Sequence, residues 1–336
     1  MMDKIISEDL EKTKGAVEGG AFAEKKVLVT GGAGFIGSWL CDVLVGFGAD
    51  VTSVDDLSTG RTKNIDHLTK NPLFKFAESD VCGFKSRQKF DFIFHMAGHA
   101  SPDEYQAHPI ETLQTSALGS FSMAELARRN DATLLFASTS EVYGDTEVIP
   151  TPESYWGKVN PIGPRSCYDE GKRFAEAVLM AYCGQYGLDV RISRIFNTYG
   201  PRLREDGLYG RAMSRFISQA LTNQPITVYG DGKQTRSFCY ITDTVTSLLL
   251  LMSASNAKGE VVNVGNAQEV TILEIAQNIK AVTKSKSPIT FHPLPQDDPK
   301  RRCPDTNKLE KLVGWKPKVN FEEGLKRTVT WFSQKP

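Results

Sequence analysis

One segment near the start of the chain constrains the fold more than any other. Residues 25–30 (KKVLVT) form an apolar run that leads directly into residues 31–37 (GGAGFIG), and an apolar helical stretch follows. A strand that turns through closely spaced glycines into a helix lets a phosphate group approach the free backbone N–H groups at the helix N-terminus. The segment therefore predicts the first strand, loop and helix of a dinucleotide-binding sheet.

A second strand supports this interpretation and indicates which dinucleotide binds. Residues 50–55 (DVTSVD) are β-prone and end in Asp55, at the sequence distance from the glycines that is typical of a contact with an adenine ribose. The carboxylate of Asp55 would repel a 2′-phosphate, and Asp56 beside it would act in the same way. The sequence therefore predicts NAD rather than NADP.

Short apolar runs alternate with longer amphipathic stretches along the rest of the chain. This alternation predicts an α/β fold, a doubly wound parallel sheet (the Rossmann arrangement) with helices on both faces. Further strands are expected at 74–77, 91–96, 133–137 and 190–196, and helices at 38–46, 110–129, 168–186, 209–221, 243–253 and 271–282.

The composition changes along the chain suggest how it divides into domains. Residues 1–24 are charged and glycine-rich and are expected to form an N-terminal extension, either a short helix or a disordered tail. Residues 25–200 are expected to form mainly the NAD-binding domain. From about residue 200 the strands become shorter and Pro and Gly more frequent, so residues 201–336 are expected to form mainly a smaller C-terminal α/β substrate-binding part, with some interleaving.

Charge, hydropathy and cysteine usage argue against several classes of function. The chain has 40 basic and 40 acidic residues, so no overall charge favours nucleic acid or an anionic membrane. No apolar run is long enough to span a bilayer. The six cysteines include no C-x-x-C pair and no histidine partner at metal-ligand spacing. We therefore expect reduced thiols, no metal and a cytoplasmic location.

Tyr168 and Lys172 are the strongest candidates for catalysis. Four residues apart on a predicted helix, they share one face. A tyrosine with an ordinary pKa of ~10 becomes a usable base when a neighbouring ammonium stabilises its phenolate. Thr139 and Glu141 follow the strand predicted at 133–137, and sheets of this kind bind ligands beyond the carboxyl ends of their strands. Such a group of residues can take a proton from a sugar hydroxyl.

Longer motifs around these residues carry a resemblance to a known family. They are residues 138–145 (STSEVYGD), 155–163 (YWGKVNPIG), 167–173 (CYDEGKR), 194–202 (RIFNTYGPR), 234–238 (QTRSF) and 295–305 (PQDDPKRRCPD). Over residues 25–334 the chain resembles the extended short-chain dehydrogenase/reductase family, the NAD-dependent epimerase/dehydratase enzymes of nucleotide sugars. The Tyr-Trp-Gly and Asp-Asp-Pro segments resemble the subgroup that decarboxylates UDP-glucuronate to UDP-xylose.

The resemblance implies a reaction and a role for each candidate. Tyr168 would deprotonate the 4′-hydroxyl while NAD oxidises C4′, and the 4-keto sugar would lose carbon dioxide before its carbonyl is reduced again. Thr139 would hydrogen-bond the 4′-oxygen, Glu141 would lie near C5′, and Lys172 would also bind the nicotinamide ribose. Cofactor contacts are implied for Gly31, Gly34, Phe35, Ile36, Gly37, Asp55, Asp56, Ser58, Thr59, Gly60, Asp80, Val81, Ala97, Tyr168, Lys172, Thr198 and Arg202.

A nucleotide-sugar substrate also requires cations for its diphosphate. The planar guanidinium of arginine binds phosphate oxygens in pairs, and Arg211, Arg236 and Arg302 are the candidates, with Asn197 as a further substrate contact. Arg301 is the alternative to Arg302, which matches the family arginine before Cys-Pro-Asp. The resemblance also implies a homodimer in which the helices at 110–129 and 168–186 of each subunit form a four-helix interface.

Departures from the family pattern leave other reactions open. His99 precedes Ala-Ser-Pro, and Gln114 and Ser116 replace a lysine and an asparagine, so a cation near the glucuronate carboxylate is missing. A protonated His99 would compensate for it. The loop at 203–210 is also two residues longer than in the family.

A 4-epimerase shares the first step and is the main alternative. A 4,6-dehydratase would need an acid where Ser140 stands. A non-catalytic NAD-binding sensor belongs to a different class of protein. It would have lost Tyr168 or Lys172, and both are present.

Overall fold

A seven-stranded parallel sheet dominates the structure, a computed structural model that describes residues 3–204, 212–294 and 300–334. The strand order across this sheet is β11-β6-β5-β4-β1-β2-β3, so the order reverses beside β1. The described strands are β1 (Lys26–Thr30), β2 (Asp50–Asp55), β3 (Phe74–Glu78), β4 (Phe92–His95), β5 (Thr133–Thr139), β6 (Val190–Ile195), β7 (Thr198–Tyr199), β8 (Ile226–Tyr229), β9 (Thr235–Ser237), β10 (Cys239–Tyr240), β11 (Val261–Val264), β12 (Glu269–Thr271) and β13 (Ile289–His292). The predicted doubly wound α/β sheet is confirmed.

Helices cover both faces of the sheet. The pair α4 and α5 packs on one face, and α2 and α7 pack on the other. The described helices are α1 (Lys4–Gly15), α2 (Phe35–Gly46), α3 (Pro102–Ala107), α4 (Pro109–Asn130), α5 (Ser166–Tyr186), α6 (Ala212–Leu221), α7 (Ile241–Ser253), α8 (Ile272–Thr283), α9 (Asn307–Val313) and α10 (Phe321–Ser333). No helix within the described ranges is both long and apolar enough to cross a bilayer.

The alternation of side chains along β1 explains the two cores. Val27 and Val29 point to the core beneath α2 and α7, whereas Leu28 points to the core beneath α4 and α5. Successive residues of a strand face opposite sides of a sheet, and all three side chains are fully buried. A central strand that is buried on both faces is therefore a continuous apolar run in the sequence.

The chain after residue 200 contributes to both parts of the fold. Strand β11 pairs with β6 at the edge of the large sheet, and α7 packs against it. Strand β8 pairs with β13 and β9 pairs with β12, and together with α6 and α8 they form a smaller layer beside the carboxyl ends of the large sheet. The helix predicted at 209–221 is seen as α6 from residue 212, and residues 209–211 lie outside the described ranges.

Helix α1 forms the N-terminal extension. It begins at a cap in which the Asp3 carboxylate accepts a hydrogen bond from Ile5 N at 2.8 Å. It packs against α2 and α7 and buries Ile6 and Leu10 in the main core. Helix α1 is the first of the two alternatives expected for residues 1–24. Helices α3, α9 and α10 were not assigned from the sequence, because α3 and α9 are short and α10 lies among charged residues near the end of the chain.

Candidate active site

A cavity of about 390 Å³ opens at the carboxyl ends of the central strands, where the strand order reverses. Ligands of doubly wound sheets bind at this position. Gly60 and Asp80 are not in its lining, and Arg211 lies outside the described residues. The predicted site residues that do line it are Gly31, Gly34, Phe35, Ile36, Gly37, Asp55, Asp56, Ser58, Thr59, Val81, Ala97, Thr139, Glu141, Tyr168, Lys172, Asn197, Thr198, Arg202, Arg236 and Arg302.

The glycine loop after β1 has the geometry of a phosphate cradle. Gly31 has a φ of +67°, and a Cβ placed on Gly37 would lie 2.1 Å from the Gly31 carbonyl oxygen. Larger residues at these positions would force the loop away from the start of α2. Gly34 is the N-cap of α2 and provides no side-chain cap, so the first N–H groups of the helix remain available to a bound anion. The loop fits the pyrophosphate of a dinucleotide.

The carboxylate of Asp55 is held at the end of β2. It accepts hydrogen bonds from Ala33 N at 3.0 Å and Leu57 N at 2.9 Å, and burial raises its pKa. A Cβ on Gly60 would lie 2.4 Å from this carboxylate, so Gly60 makes room for Asp55 rather than lining the cavity. Asp80 accepts a hydrogen bond from Cys82 N at 2.8 Å and shapes the turn that presents Val81.

Arg202 lines the cavity, but its charge is already paired. Its guanidinium lies 2.7 Å from the Asp42 carboxylate and 5.3 Å from the Trp39 ring centroid. Trp39 in turn donates to Pro201 O at 3.1 Å, so these contacts tie the loop after β7 to α2. The cofactor contact of Arg202 stays a prediction.

Tyr168 and Lys172 lie on the buried face of α5, against the end of β5. The Lys172 ammonium donates to Ala137 O at 2.8 Å and lies 4.6 Å from the Phe136 ring centroid. Burial lowers the pKa of Lys172 to about 8. Tyr168 stacks on Tyr105 with parallel rings whose centroids are 5.0 Å apart. The phenol and the ammonium thus face the cavity from a rigid support.

Thr139 and Glu141 follow directly at the end of β5. The Thr139 hydroxyl accepts from Glu141 N at 3.3 Å and caps a short 3₁₀ turn. The Glu141 carboxylate contacts the guanidinium groups of both Arg165 and Arg302. One carboxylate therefore meets two arginines inside the cavity, and Arg165 also lies 4.0 Å from the Asp169 carboxylate.

Arg302 and Arg301 point in different directions. Arg302 is buried, burial lowers its pKa to about 10, and its Nε has no hydrogen-bond partner among the described residues. Arg301 pairs on the surface with Glu269 at 2.5 Å. Only Arg302 of the two lines the cavity, where it lies beside Glu141.

Four cavity residues, Tyr105, Arg165, Arg204 and Arg215, were missed in the sequence. Arg165 immediately precedes α5 and lies three residues before Tyr168. Its position beside the motif at residues 167–173 could have identified it from the sequence. Arg215 lies on α6 with its guanidinium 4.8 Å from the Tyr229 ring centroid, and burial lowers its pKa. An arginine flanked by the apolar residues of an amphipathic helix was the signal for Arg215. Tyr105 and Arg204 carried no motif.

The departures from the family pattern have structural explanations. His99 is buried between Thr112 Oγ1 at 3.1 Å and Ser58 Oγ at 3.3 Å. Burial lowers its pKa, so His99 is neutral at pH 7 and does not supply the missing cation. Gln114 is exposed on α4 and outside the cavity lining. Ser116 is buried where a Cβ on Gly171 would lie 3.2 Å away, so its small size allows α4 and α5 to approach closely.

Comparisons with known proteins identify the family. Residues 28–328 match the family model described as GDP-mannose 4,6 dehydratase. UDP-glucuronic acid decarboxylase 1 of Danio rerio is 50% identical over 310 residues, which cover 92% of this chain and 73% of that protein.

Two solved structures are similar over almost the same range. UDP-glucose 4-epimerase of Thermotoga maritima has a TM-score of 0.84 at 31% identity, covering 91% of this chain and 98% of that one. UDP-glucuronic acid 4-epimerase of Bacillus cereus, in complex with UDP-glucuronic acid and NAD, has a TM-score of 0.83 at 28% identity, covering 92% and 99%. The chain belongs to the NAD-dependent epimerase/dehydratase family of nucleotide-sugar enzymes, as its motifs predicted.

Proposed function

We propose that this protein is an NAD-dependent decarboxylase that converts UDP-glucuronate to UDP-xylose through a 4-keto intermediate. The observation that carries the proposal is the meeting of Arg165 and Arg302 at Glu141, in the same cavity as Tyr168 and Lys172. A proton acceptor for a sugar hydroxyl beside two arginines that line the same cavity suits a sugar that carries a carboxylate. The decarboxylase of Danio rerio, at 50% identity, supports this choice.

The residues at the glycine loop and at the end of β2 fit NAD. The N–H groups at the start of α2 would hold its pyrophosphate, and Asp55 would accept hydrogen bonds from its adenine ribose. When bound, NAD supplies a hydride acceptor for C4′ and returns the hydride at the end of the cycle. The carboxylate of Asp55 would repel a 2′-phosphate, which favours NAD over NADP.

Tyr168, Lys172 and Thr139 handle the proton of the 4′-hydroxyl. The proton moves to Tyr168 Oη as C4′ becomes a carbonyl carbon, and the Lys172 ammonium stabilises the phenolate that accepts it. Thr139 orients the 4′-oxygen by a hydrogen bond. Because Ala137 O holds Lys172 in place, the ammonium does not need to be reorganised during the reaction.

The arginines at Glu141 serve the carboxylate that is lost. Once C4′ is a carbonyl carbon, the C5′ carboxylate is β to it, and carbon dioxide leaves with the electrons passing into an enolate. The substrate carboxylate competes with Glu141 for Arg165 and Arg302, which frees Glu141 to hold a water that protonates C5′. The two arginines therefore bind the carboxylate of the reactant and lose this interaction when neutral carbon dioxide departs.

The diphosphate is bound from the part of the chain after residue 200. Arg236 on β9 and Arg215 on α6 line the same cavity as the glycine loop. Asn197 follows β6 and reaches the same space. This arrangement supports a division in which residues 25–200 bind mainly NAD and residues 201–336 bind mainly substrate, with residues 1–24 as an extension.

The two long helices α4 and α5 support a homodimer. Leu118, Phe121 and Phe174 are 52%, 43% and 48% exposed on their outer face, and large apolar side chains this exposed are typical of an interface. A second copy of the same helix pair would bury them in a four-helix arrangement. All six cysteines are free, which supports a reducing, cytoplasmic environment.

The test is to incubate the protein with UDP-glucuronate and NAD and to follow carbon dioxide and the nucleotide product by mass. A product lighter by one carbon dioxide is expected. An isobaric product would support the 4-epimerase instead, a reaction that the similarity to the Bacillus cereus enzyme keeps as the alternative. Inactivity towards UDP-glucuronate would overturn the proposal.

A pair of variants tests the base. Tyr168→Phe should lower turnover by about 10³-fold or more and keep NAD binding, because only the proton acceptor is removed. Tyr182→Phe is the matched control on the outer face of the same helix, and it should retain the wild-type rate. A near-normal rate for Tyr168→Phe would contradict the assignment.

A further inference from the structure

Glu176 is a buried carboxylate close to the candidate active site that no proposed step uses. Its Oε1 accepts from Ser138 Oγ at 2.5 Å and from Arg194 Nε at 3.0 Å, and its Oε2 accepts from Arg194 Nη2 at 2.7 Å. It lies one helical turn after Lys172, so the two side chains share the face of α5 that packs on β5.

Lys172 and Glu176 hold consecutive residues at the end of β5. The Lys172 ammonium binds the carbonyl oxygen of Ala137, and the Glu176 carboxylate binds the hydroxyl of Ser138. The next residue is Thr139, whose hydroxyl is proposed to orient the substrate. Two neighbouring side chains of one helix therefore fix the strand end that carries Thr139.

Arg194 is a fixed partner for Glu176. It lies opposite Ser138 in the register of β5 and β6. Its Nη1 donates to Tyr143 Oη at 3.0 Å and to Glu153 O at 3.1 Å, and Tyr143 donates to Asn263 Oδ1 at 2.7 Å. These contacts hold the guanidinium of Arg194 in place. Glu176 therefore cannot move without losing its own hydrogen bonds to Arg194.

The charged and titratable groups around Lys172 leave Glu176 as the carboxylate that supports its ammonium. His95 faces Lys172 from β4, and burial lowers the pKa of His95 to about 3, so it is neutral. Tyr168 lies on the same helix, and Arg194 approaches from β6 already paired with Glu176. Burial lowers the pKa of Lys172, and the charge of Glu176 opposes this decrease.

We propose that Glu176 is a positioning residue of the active site, which keeps Lys172 protonated and holds Ser138 and Thr139 in register with Tyr168. This inference rests on the proposed function, because it takes Lys172 as the cation that supports the Tyr168 base. It assigns to the ion pair of Glu176 and Arg194 a task in catalysis in addition to its place in the fold.

The experiment compares pH profiles of kcat for wild type, Glu176→Gln and Glu176→Asp with UDP-glucuronate. Glutamine keeps the shape of Glu176 and removes its charge, so the alkaline decline of kcat should move to lower pH by about one unit. KM should change by less than about 2-fold, because Glu176 does not line the cavity. Aspartate restores the charge at a longer distance from Lys172, so the decline should move to lower pH by only about half a unit, at a lower maximal rate.

Asp189→Asn is the matched control. Asp189 pairs with Arg191 at 3.0 Å at the opposite end of β6, far from Lys172, so its replacement should leave the pH profile unchanged. A Glu176→Gln profile that matches wild type would overturn the inference, as would an equal shift in Asp189→Asn.

A second readout does not depend on turnover. Titration of the Lys172 side chain by NMR in ¹³C-lysine protein, assigned with Lys172→Met, should show a pKa about one unit lower in Glu176→Gln than in wild type. If Glu176→Gln does not fold, Glu176→Asp is titrated instead, and a pKa unchanged by the longer distance to the charge would refute the inference. A wild type that leaves UDP-glucuronate unchanged overturns the proposed function, whereas an unchanged Lys172 titration overturns only the role of Glu176.

Discussion

Glu141 and Asp9 are two largely buried carboxylates held by arginine in different regions of the molecule. Asp9 on α1 accepts from Tyr240 Oη at 2.6 Å and pairs with Arg327 at 2.9 Å, and Arg327 also pairs with Glu8. Glu141 meets two arginines instead, and it lines the cavity. Asp9 is enclosed between packed elements, whereas Glu141 and its two arginines border a space that a ligand can enter.

This difference separates a docking contact from a binding site. Asp9 joins α1 to β10 and α10, and it is almost completely shielded from solvent. A buried ion pair of this kind is costly to break, because the remaining partner keeps its desolvation penalty. Arg302 beside Glu141 is also buried, but it lines the cavity, so an anionic ligand can reach its guanidinium. Access from the cavity, rather than a count of charges, therefore indicates which of the two clusters binds a ligand.

The largest effect is expected for Glu141→Gln. Removing the carboxylate removes the proposed holder of the water that protonates C5′, so kcat should fall by about 10²- to 10⁴-fold while NAD binding is unchanged. Steady-state rates and an NAD titration measure the two quantities. If Glu141→Gln kept turnover within a factor of two of wild type, Glu141 would be a structural contact, as Asp9 is.

The fold and the catalytic pair could be predicted because their signals are local. The glycine loop, the apolar run of β1 and the four-residue spacing of Tyr168 and Lys172 all lie within short segments of sequence. The cluster at Glu141 could not be predicted in this way, since Arg302 lies 161 residues further along the chain. The motifs suggested Arg302 as a diphosphate ligand, and only the three-dimensional structure brings it beside Glu141.

The contact of α1 with the rest of the fold could not be predicted from the sequence either. Asp9 and Arg327 lie near opposite ends of the chain, and neither belongs to a motif. A charged N-terminal segment with few apolar residues gave no sign that it docks. The packing of Ile6 and Leu10 into the main core is a property of the folded chain.

The second prediction concerns stability at Asp9. Arg327→Met leaves Asp9 buried without its cation, so the free energy of unfolding should fall by about 3 kcal/mol at pH 7, with turnover at 25 °C unchanged. Burial raises the pKa of Asp9, so the folded state binds its proton more tightly than the unfolded state and stability decreases as pH rises above the ordinary value of 3.8. The variant should therefore be closest to wild type at low pH.

Urea unfolding from pH 4 to pH 8 measures this dependence. Lys326→Met is a matched control, because Lys326 is exposed beside Arg327 and pairs only with Glu322 among the described residues. Its effect should stay within about 0.5 kcal/mol. A loss of activity in Arg327→Met that is larger than its loss of stability would show that the α1 contact also serves the site.

The smallest expected change in the free energy of unfolding follows the replacement of Lys172, and it is a stabilisation rather than a destabilisation. Burial lowers the pKa of Lys172 to about 8 from 10.5, so between these values the unfolded chain holds a proton that the folded protein has lost. Stability therefore rises with pH through this window, and the full cost of burying the ammonium is present below pH 8.

Lys172→Met removes that cost, about 3 kcal/mol, and loses the hydrogen bond to Ala137, about 1 kcal/mol, so the variant should be more stable than wild type by about 2 kcal/mol at pH 7. The advantage should disappear as pH approaches 10.5, whereas Lys12→Met, an exposed control on α1, should show no such dependence. A variant less stable than wild type at pH 7 would mean that the ammonium is satisfied where it lies. Lys172 would then be a structural contact, as Asp9 is, and not a buried charge that destabilises the fold and serves the reaction.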